Sequence, residues 1–224
     1  MTRKIKRYEI LNDFAKNWGY ENYLEIGTSR GRCLERVRCK NKTGVDPAPK
    51  VERPEWTLQK MTSDDFFAST EAKFDLIFID GLHLAEQVLR DIYNSLAALA
   101  PGGAILLHDC HPNTEDAQLR DVDDAPGRHW NGDVWKAIAF VRQSLPDLFC
   151  RVLDVDEGIG VILPKSSGGA PVLTAKIEND AKEFFESLTY ADLVARGDEL
   201  LGLLSNRAAL EAQLHEENLP VAAG

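Results

Sequence analysis

The chain has 224 residues, 44% of them hydrophobic and 28% charged, enough for one sizeable core with an appendage. Its net charge of −10 argues against nonspecific attraction to nucleic acid or to an anionic membrane. No run approaches the roughly 18 apolar residues that a membrane span needs.

Residues 8–18 carry Ile10, Leu11, Phe14 and Trp18 at helical spacing, and Gly19 can end that helix. The basic start Arg3-Lys4-Ile5-Lys6-Arg7 reads as a solvated helix start. Tyr23-Leu24-Glu25-Ile26 is the first buried strand, and residues 30–38 form the helix after its turn. Thr43-Gly44-Val45-Asp46 is a short second strand stopped by Pro47 and Pro49, with a third at 56–60. A helix begins near Ser63, with Ser63 or Asp64 as its N-cap. Phe74-Asp75-Leu76-Ile77-Phe78-Ile79-Asp80 is almost continuously apolar, as a central parallel strand covered on both faces must be.

Residues 84–99 repeat apolar positions every three or four, a strong helix that Pro101-Gly102-Gly103 punctuates. Ala104-Ile105-Leu106-Leu107-His108-Asp109 is the next buried strand. A polar loop rich in aspartate follows from 110 to 132, a lid or specificity element in which His129, Trp130 and Asn131 are candidate substrate contacts. Trp130 and Trp135 can equally anchor that loop to the core, and Asp133 is the expected N-cap of a helix over 134–145. Residues 151–155 and 158–163 are a closing pair of strands joined by Asp156-Glu157-Gly158. A linker at 165–171 leads to helical spacing over 177–214, interrupted near Gly197 and Gly202.

Strand and helix alternate through residues 20–165, which argues for an α/β fold: a doubly wound, mainly parallel sheet with helices on both faces. The expected division is 1–165 for the sheet domain and 166–224 for a helical C-terminal extension. That extension holds four basic and ten acidic residues, so most of the negative charge sits there. Its helices can pack on their own core, cap the site or pair two copies as a homodimer. Cys33, Cys39, Cys110 and Cys150 make no Cys-x-x-Cys pair, and no apolar leader precedes them, so the expectation is a cytoplasmic protein with reduced thiols.

Ligands of open α/β sheets sit beyond the carboxyl ends of the strands. That rule selects Glu25, Gly27, Asp46, Ser63, Asp64, Asp80, His83, His108, Asp109 and His111. There is no Gly-x-Gly-x-x-Gly and no P-loop, so a pyrophosphate cradle is not expected. A glycine turn, Gly27-Thr28-Ser29-Arg30-Gly31, follows Glu25, and a carboxylate suited to ribose hydroxyls, Asp46, comes about 20 residues later.

The span Glu25-Ile26-Gly27-Thr28-Ser29-Arg30-Gly31 resembles the glutamate-x-glycine-x-x-x-glycine motif of class I S-adenosylmethionine-dependent methyltransferases. Phe78-Ile79-Asp80-Gly81-Leu82-His83 and His108-Asp109-Cys110-His111-Pro112 look like a subgroup of that class linked to glycan and natural-product tailoring. The resemblance covers roughly residues 20–165. It implies a seven-stranded sheet whose last strand is antiparallel, and S-adenosyl-L-methionine (SAM) as cofactor. Glu25 and Gly27 would lie against its methionine part, with Thr28, Ser29 and Gly31 of the same turn also cofactor-binding, Asp46 on the ribose, Ser63 and Asp64 near the adenine, and Asp80 facing the methyl group.

Asp80 and Asp109 end neighbouring strands, and two carboxylates in one crevice repel unless a cation or a proton is shared. In the metal-dependent O-methyltransferases that this pair resembles, such aspartates bind Mg²⁺ or Mn²⁺. Cys110 stands where the catechol-type enzymes have asparagine, and a thiol is a poor Mg²⁺ ligand. His83, His108 or His111 can complete the shell, or one of them can act as general base without metal. The implied acceptor is a hydroxyl of a small molecule or sugar. An amine or carboxylate acceptor, or a non-catalytic binding or assembly module, are the alternatives.

Overall fold

A computed structural model describes residues 4–125, 130–166 and 169–219. His129, Arg3 and the linker residues Ser167 and Gly168 lie outside the described residues.

Helix α1 (Arg7–Trp18) leads into strand β1 (Asn22–Ile26) and the short helix α2 (Arg32–Arg36). Strands β2 (Asn41–Val45) and β3 (Thr57–Gln59) follow, then α3 (Ser63–Ser69), β4 (Phe74–Ile79), α4 (Ala85–Ala98) and β5 (Leu99–Leu107). After the loop come α5 (Val134–Ser144), β6 (Leu148–Leu153) and β7 (Ile159–Pro164). The tail is α6 (Ala175–Ser187), α7 (Tyr190–Leu201), β8 (Leu203–Leu204) and α8 (Arg207–Glu216).

The strands form one sheet in the order β3-β2-β1-β4-β5-β7-β6-β8. Strands β1 to β5 are parallel, and β7 runs antiparallel to both β5 and β6. The antiparallel seventh strand is as expected; the eighth is not. Leu203 and Leu204 add β8 in parallel to the outer edge of β6. Two residues after a glycine C-cap carry no readable strand period, so the sequence pattern could not reveal it.

Other boundaries moved for local reasons. Helix α2 is shorter than 30–38 because Gly31 is left-handed at φ 66° and Val37 is extended. Strand β5 begins at Leu99 and runs through Pro101-Gly102-Gly103, with a register shift opposite Phe74 and Leu76. Thr62, not Ser63 or Asp64, caps α3, its hydroxyl accepting the Asp65 N–H at 3.1 Å. The tail helices break at Leu188–Thr189 and Gly202, while Gly197 stays inside α7 beside a kink at Arg196.

Two apolar layers flank the sheet. On one face Val88, Leu89, Ile92 and Leu96 of α4 and Ile138 and Val141 of α5 pack on Ile77, Ile105 and Ile162, joined by Phe185 of α6 and Leu193 of α7. On the other, α1 (Ile10, Leu11, Phe14) and α8 (Leu210, Leu214) cover Tyr23, Leu76, Leu106 and Val161. Full burial of each large aliphatic or aromatic side chain contributes about 1.5–3 kcal/mol, so the tail shares one continuous core with the sheet. Among the described residues no helix is long and apolar enough to cross a membrane.

Candidate active site

The register sets Ile26 beside Ile79 and Ile79 beside Leu107. Gly27, Asp80 and His108 therefore leave the sheet side by side. The packing there is very close. Gly27 sits at φ 88°, and a Cβ on it would lie 2.0 Å from the Asp80 carbonyl oxygen. Its lack of a side chain thus lets two strand ends meet, rather than letting backbone approach a ligand.

A cavity of about 460 Å³ opens above this junction, walled by Glu25, Gly27, Thr28, Ser29, Cys33 and Asp80, with Lys6, Arg7 and Asp156 across from them. Glu25 is 2% exposed and accepts a hydrogen bond from the Tyr23 hydroxyl at 2.6 Å. Burial, helped by repulsion from Asp80, pushes its carboxyl up to about 8 although the Tyr23 bond works against this. The Thr28 hydroxyl is buried without a hydrogen-bond partner among the described residues. Asp46 braces the turn: its Oδ2 accepts the Ser29 N–H and its Oδ1 the Ala48 N–H, both at 2.7 Å. Ser63 and Asp64 sit farther along the sheet edge, each accepting from Gln87 Nε2 at 3.2 Å. Gly31, Asp46, Ser63 and Asp64 are outside the wall of this cavity.

Asp80 also belongs to a second constellation. His83 Nε2 lies 3.5 Å from Asp80 Oδ1 and 3.4 Å from Asp109 Oδ2. His108 Nδ1 lies 3.5 Å and 2.9 Å from the same two oxygens. Both imidazoles thus sit between the inner oxygens of the aspartates. The outer oxygens are held from elsewhere in the chain. Arg7 Nη1 donates to Asp80 Oδ2 at 2.8 Å, and Asn131 Nδ2 donates to Asp109 Oδ1 at 2.6 Å.

Burial alone would discharge these groups, but their neighbours overrule it. His108 is held well above its usual range, chiefly by the charge of Asp80, and His83 is raised by Asp80 and Asp109. Asp80 is in turn lowered, with His108 the main cause. Neither ring nitrogen of His108 meets hydrogen-bond geometry, so it acts as a buried counter-charge. His83 differs: its Nδ1 is 3.3 Å from the Trp130 carbonyl, and the Trp130 indole stacks on it at 4.9 Å. Gly132 allows this approach, because a Cβ there would lie 1.9 Å from the His83 carbonyl.

Three site residues were not legible as such. Lys6 and Arg7 are not merely solvated. Lys6 Nζ binds Asp156 Oδ1 at 2.8 Å, while the Arg7 N–H and Nε both donate to Asp156 Oδ2, at 2.9 and 3.1 Å. Asp156 looked like a turn residue; its side chain is 5% exposed and its pKa is lowered, His108 and Lys6 outweighing burial. The sequence carried no signal for it; the structure marks it by a left-handed φ of 47°, uncommon for a non-glycine residue. Ser29 of the cavity wall and Asp109 of the cluster share that property, as do Glu157 in the same turn and Asn218 elsewhere. Asn131 was a candidate substrate contact, yet it is 1% exposed and braces Asp109.

Other expectations are corrected. Asp133 does not cap its own helix; its Oδ1 accepts the Ala85 N–H at 2.8 Å, capping α4, while Arg120 Nη1 donates to Oδ2 at 2.5 Å. Trp135 is fully buried and Trp130 donates to the Leu119 carbonyl at 2.6 Å, so both anchor the loop. His111 turns away from the aspartates to Asp154, at 2.8 Å. Cys110 is buried, its Sγ on the His108 carbonyl.

One donor atom each from Asp80, His83 and Asp109 lie within 4.8 Å of one another. An oxygen–nitrogen–oxygen set of this kind fits Mn²⁺, Fe²⁺ or Zn²⁺ better than Mg²⁺.

Residues 24–110 match the family model of a methyltransferase domain. No curated protein matches the chain. Among solved structures it is similar to the O-methyltransferase from Bacillus cereus in complex with S-adenosylhomocysteine (SAH): 14% identity, 73% of this chain and 84% of that one, TM-score 0.55. SAH-bound methyltransferase PaMTH1 from Podospora anserina is 20% identical over 71% of this chain and 78% of its own, TM-score 0.55. TomG of Streptomyces achromogenes, an O-methyltransferase of tomaymycin synthesis in complex with SAM, is 13% identical over 70% and 79%, TM-score 0.51. The sheet built around Gly27, Asp80 and His108 has the Rossmann-like fold of these methyltransferase structures, and its segment 24–110 matches the methyltransferase-domain family model.

Proposed function

We propose that the chain transfers a methyl group from SAM to a hydroxyl of a small molecule or sugar. One observation carries this reading: Asp80 is part of both the cavity wall and the His83–His108–Asp109 cluster. A donor in the cavity and an acceptor over the cluster would meet at that carboxylate. Proximity of this kind supplies much of the acceleration in group transfer.

The cofactor supplies an activated methyl on a cationic sulfur, which keeps the bonding electron pair when the acceptor oxygen takes the methyl carbon. In this chain Glu25, Gly27, Thr28 and Ser29, which wall the cavity, would take the methionine end, while Asp46 would take the ribose and Ser63 and Asp64 the adenine beyond that wall, and Gly31 would shape the turn. Glu25 becomes the acceptor for the ammonium, with ionisation completed by that charge. His83 takes the hydroxyl proton at Nε2: the Trp130 carbonyl orients Nδ1, and two carboxylates stabilise the imidazolium. In the alternative route a divalent ion would be held by Asp80, His83 and Asp109, where it would lower the pKa of the bound hydroxyl, and His83 would then serve as ligand and not as base. His111 receives no role.

Residues 1–165 are assigned as the methyltransferase domain and 166–224 as its support. The apolar faces of α6, α7 and α8 are engaged within the chain, so the tail is given an intramolecular role rather than a dimer interface. The four free thiols suit a cytoplasmic location.

Calorimetric titration with SAH, followed by mass spectrometry of SAM reactions with catechol and sugar hydroxyls, tests the reading. Binding and a 14 Da gain on a hydroxyl acceptor are expected, and their dependence on Mn²⁺ against chelator separates metal-assisted from histidine-only transfer. Failure to bind SAH overturns it.

A further inference from the structure

The Arg7 guanidinium occupies one oxygen of Asp80 at the cavity wall. Asp80 directs Oδ1 to the two histidines and gives Oδ2 to Arg7, and both residues wall the cavity. Arg7 is fastened twice to Asp156, which Lys6 holds on its other oxygen. Asp156 is anchored by a turn whose three residues 156–158 are all left-handed. The Arg7 side chain nevertheless retains 29% exposure, so it has room to leave.

We propose that Arg7 is a resident counter-cation of Asp80 that a cationic ligand centre displaces, so that the chain senses the charge of what occupies the cavity. This rests on the donor reading above. The methyl donor carries a sulfonium, and the spent cofactor is a neutral thioether. Arriving at Asp80, the sulfonium competes with the guanidinium for one carboxylate oxygen and is repelled by it. Once the methyl has left, that positive charge is gone, and Arg7 closes again on Asp80. Arg7 is a positioning residue here: it handles neither the methyl nor the proton. Its effect is to narrow the preference for charged donor over neutral product.

Paired titrations of the full chain with SAM and with SAH test the idea, because the two ligands differ by one methyl and one charge. In Arg7→Ala the SAM:SAH affinity ratio is expected to rise about tenfold, as removal of one partly screened charge near a sulfonium allows. Arg7→Lys, which keeps the charge, should retain the wild-type ratio. Asp156→Asn, which loosens the fastening, should move it in the same direction by less. If R7A is too unstable to titrate, Arg7→Met keeps the apolar stem and must give the same rise. Equal weakening of both ligands with an unchanged ratio would show that Arg7 only ties down the N-terminal segment, and the proposal falls while the donor reading stands. Wild-type protein that binds neither ligand sinks both.

Discussion

The two halves of the site are built by opposite strategies. The donor half is local: Glu25, Gly27, Thr28 and Ser29 are one strand end and its turn, braced by Asp46 from the next strand. The acceptor half and the far wall of the cavity are gathered from the whole chain, with Asn131 from the loop before α5 on Asp109, and Arg7 from α1 and Asp156 from the β6–β7 turn closing the cavity at Asp80. A local site survives in the sequence as a motif. A gathered site exists only once the chain has folded, and its charges are tuned by partners far apart in sequence.

Breaking the junction should damage both halves most. Gly27→Ala places a methyl group against the Asp80 backbone at a left-handed φ, and we expect a loss of about 3 kcal/mol or more in denaturant unfolding. SAH binding and methyl transfer should vanish together; a stable G27A protein that binds SAH normally would show that the halves do not meet there.

The next substitution should separate them. His83→Asn is expected to lower kcat about 10²–10³-fold while SAH affinity stays within about threefold. In the wild type, activity should fall as pH drops through the raised pKa of His83, because protonated Nε2 cannot accept a proton. That limb should lie above 6.5, and H83N should lack it. A limb that persists in H83N would assign the base elsewhere.

The gentlest test concerns the donor half alone. Glu25 ionises at about 4.5 in the unfolded chain and at about 8 when folded, so the native state retains a proton that the unfolded state has lost. Stability contributed by this group is therefore present below pH 4.5 and is lost as pH rises toward 8. Glu25→Gln should flatten that slope, raising Tm relative to wild type by about 5 °C more at pH 8.5 than at pH 5. It should also weaken SAM. An identical Tm difference at the two pH values would mean that Glu25 is ionised in the empty cavity.

The sequence reading follows the same division. Alternating buried strands announced the sheet, since Leu76–Ile79 and Ala104–Leu107 are apolar on both faces, with Leu24 and Ile26 flanking Glu25 in the strand beside them. Asp80, His83, His108 and Asp109 were legible because strand ends are where open sheets bind ligands. Arg7 and Asp156 were not, because a basic helix start and an aspartate in a turn have ordinary explanations that only tertiary contact overrules. The helix caps went astray for the same reason: Asp133 stands at the start of α5 but serves α4, a choice that sequence spacing does not encode.

The two-residue strand β8 has a consequence for handling the protein. Leu203 and Leu204 occupy the hydrogen-bonding rim of β6 at Val152 and Leu153, the last open margin on that side of the sheet. Exposed strand margins recruit other chains. A truncation ending before Leu203 would bare that apolar template and also strip α8 from the core around Tyr23 and Leu76, so its first symptom would be loss of solubility.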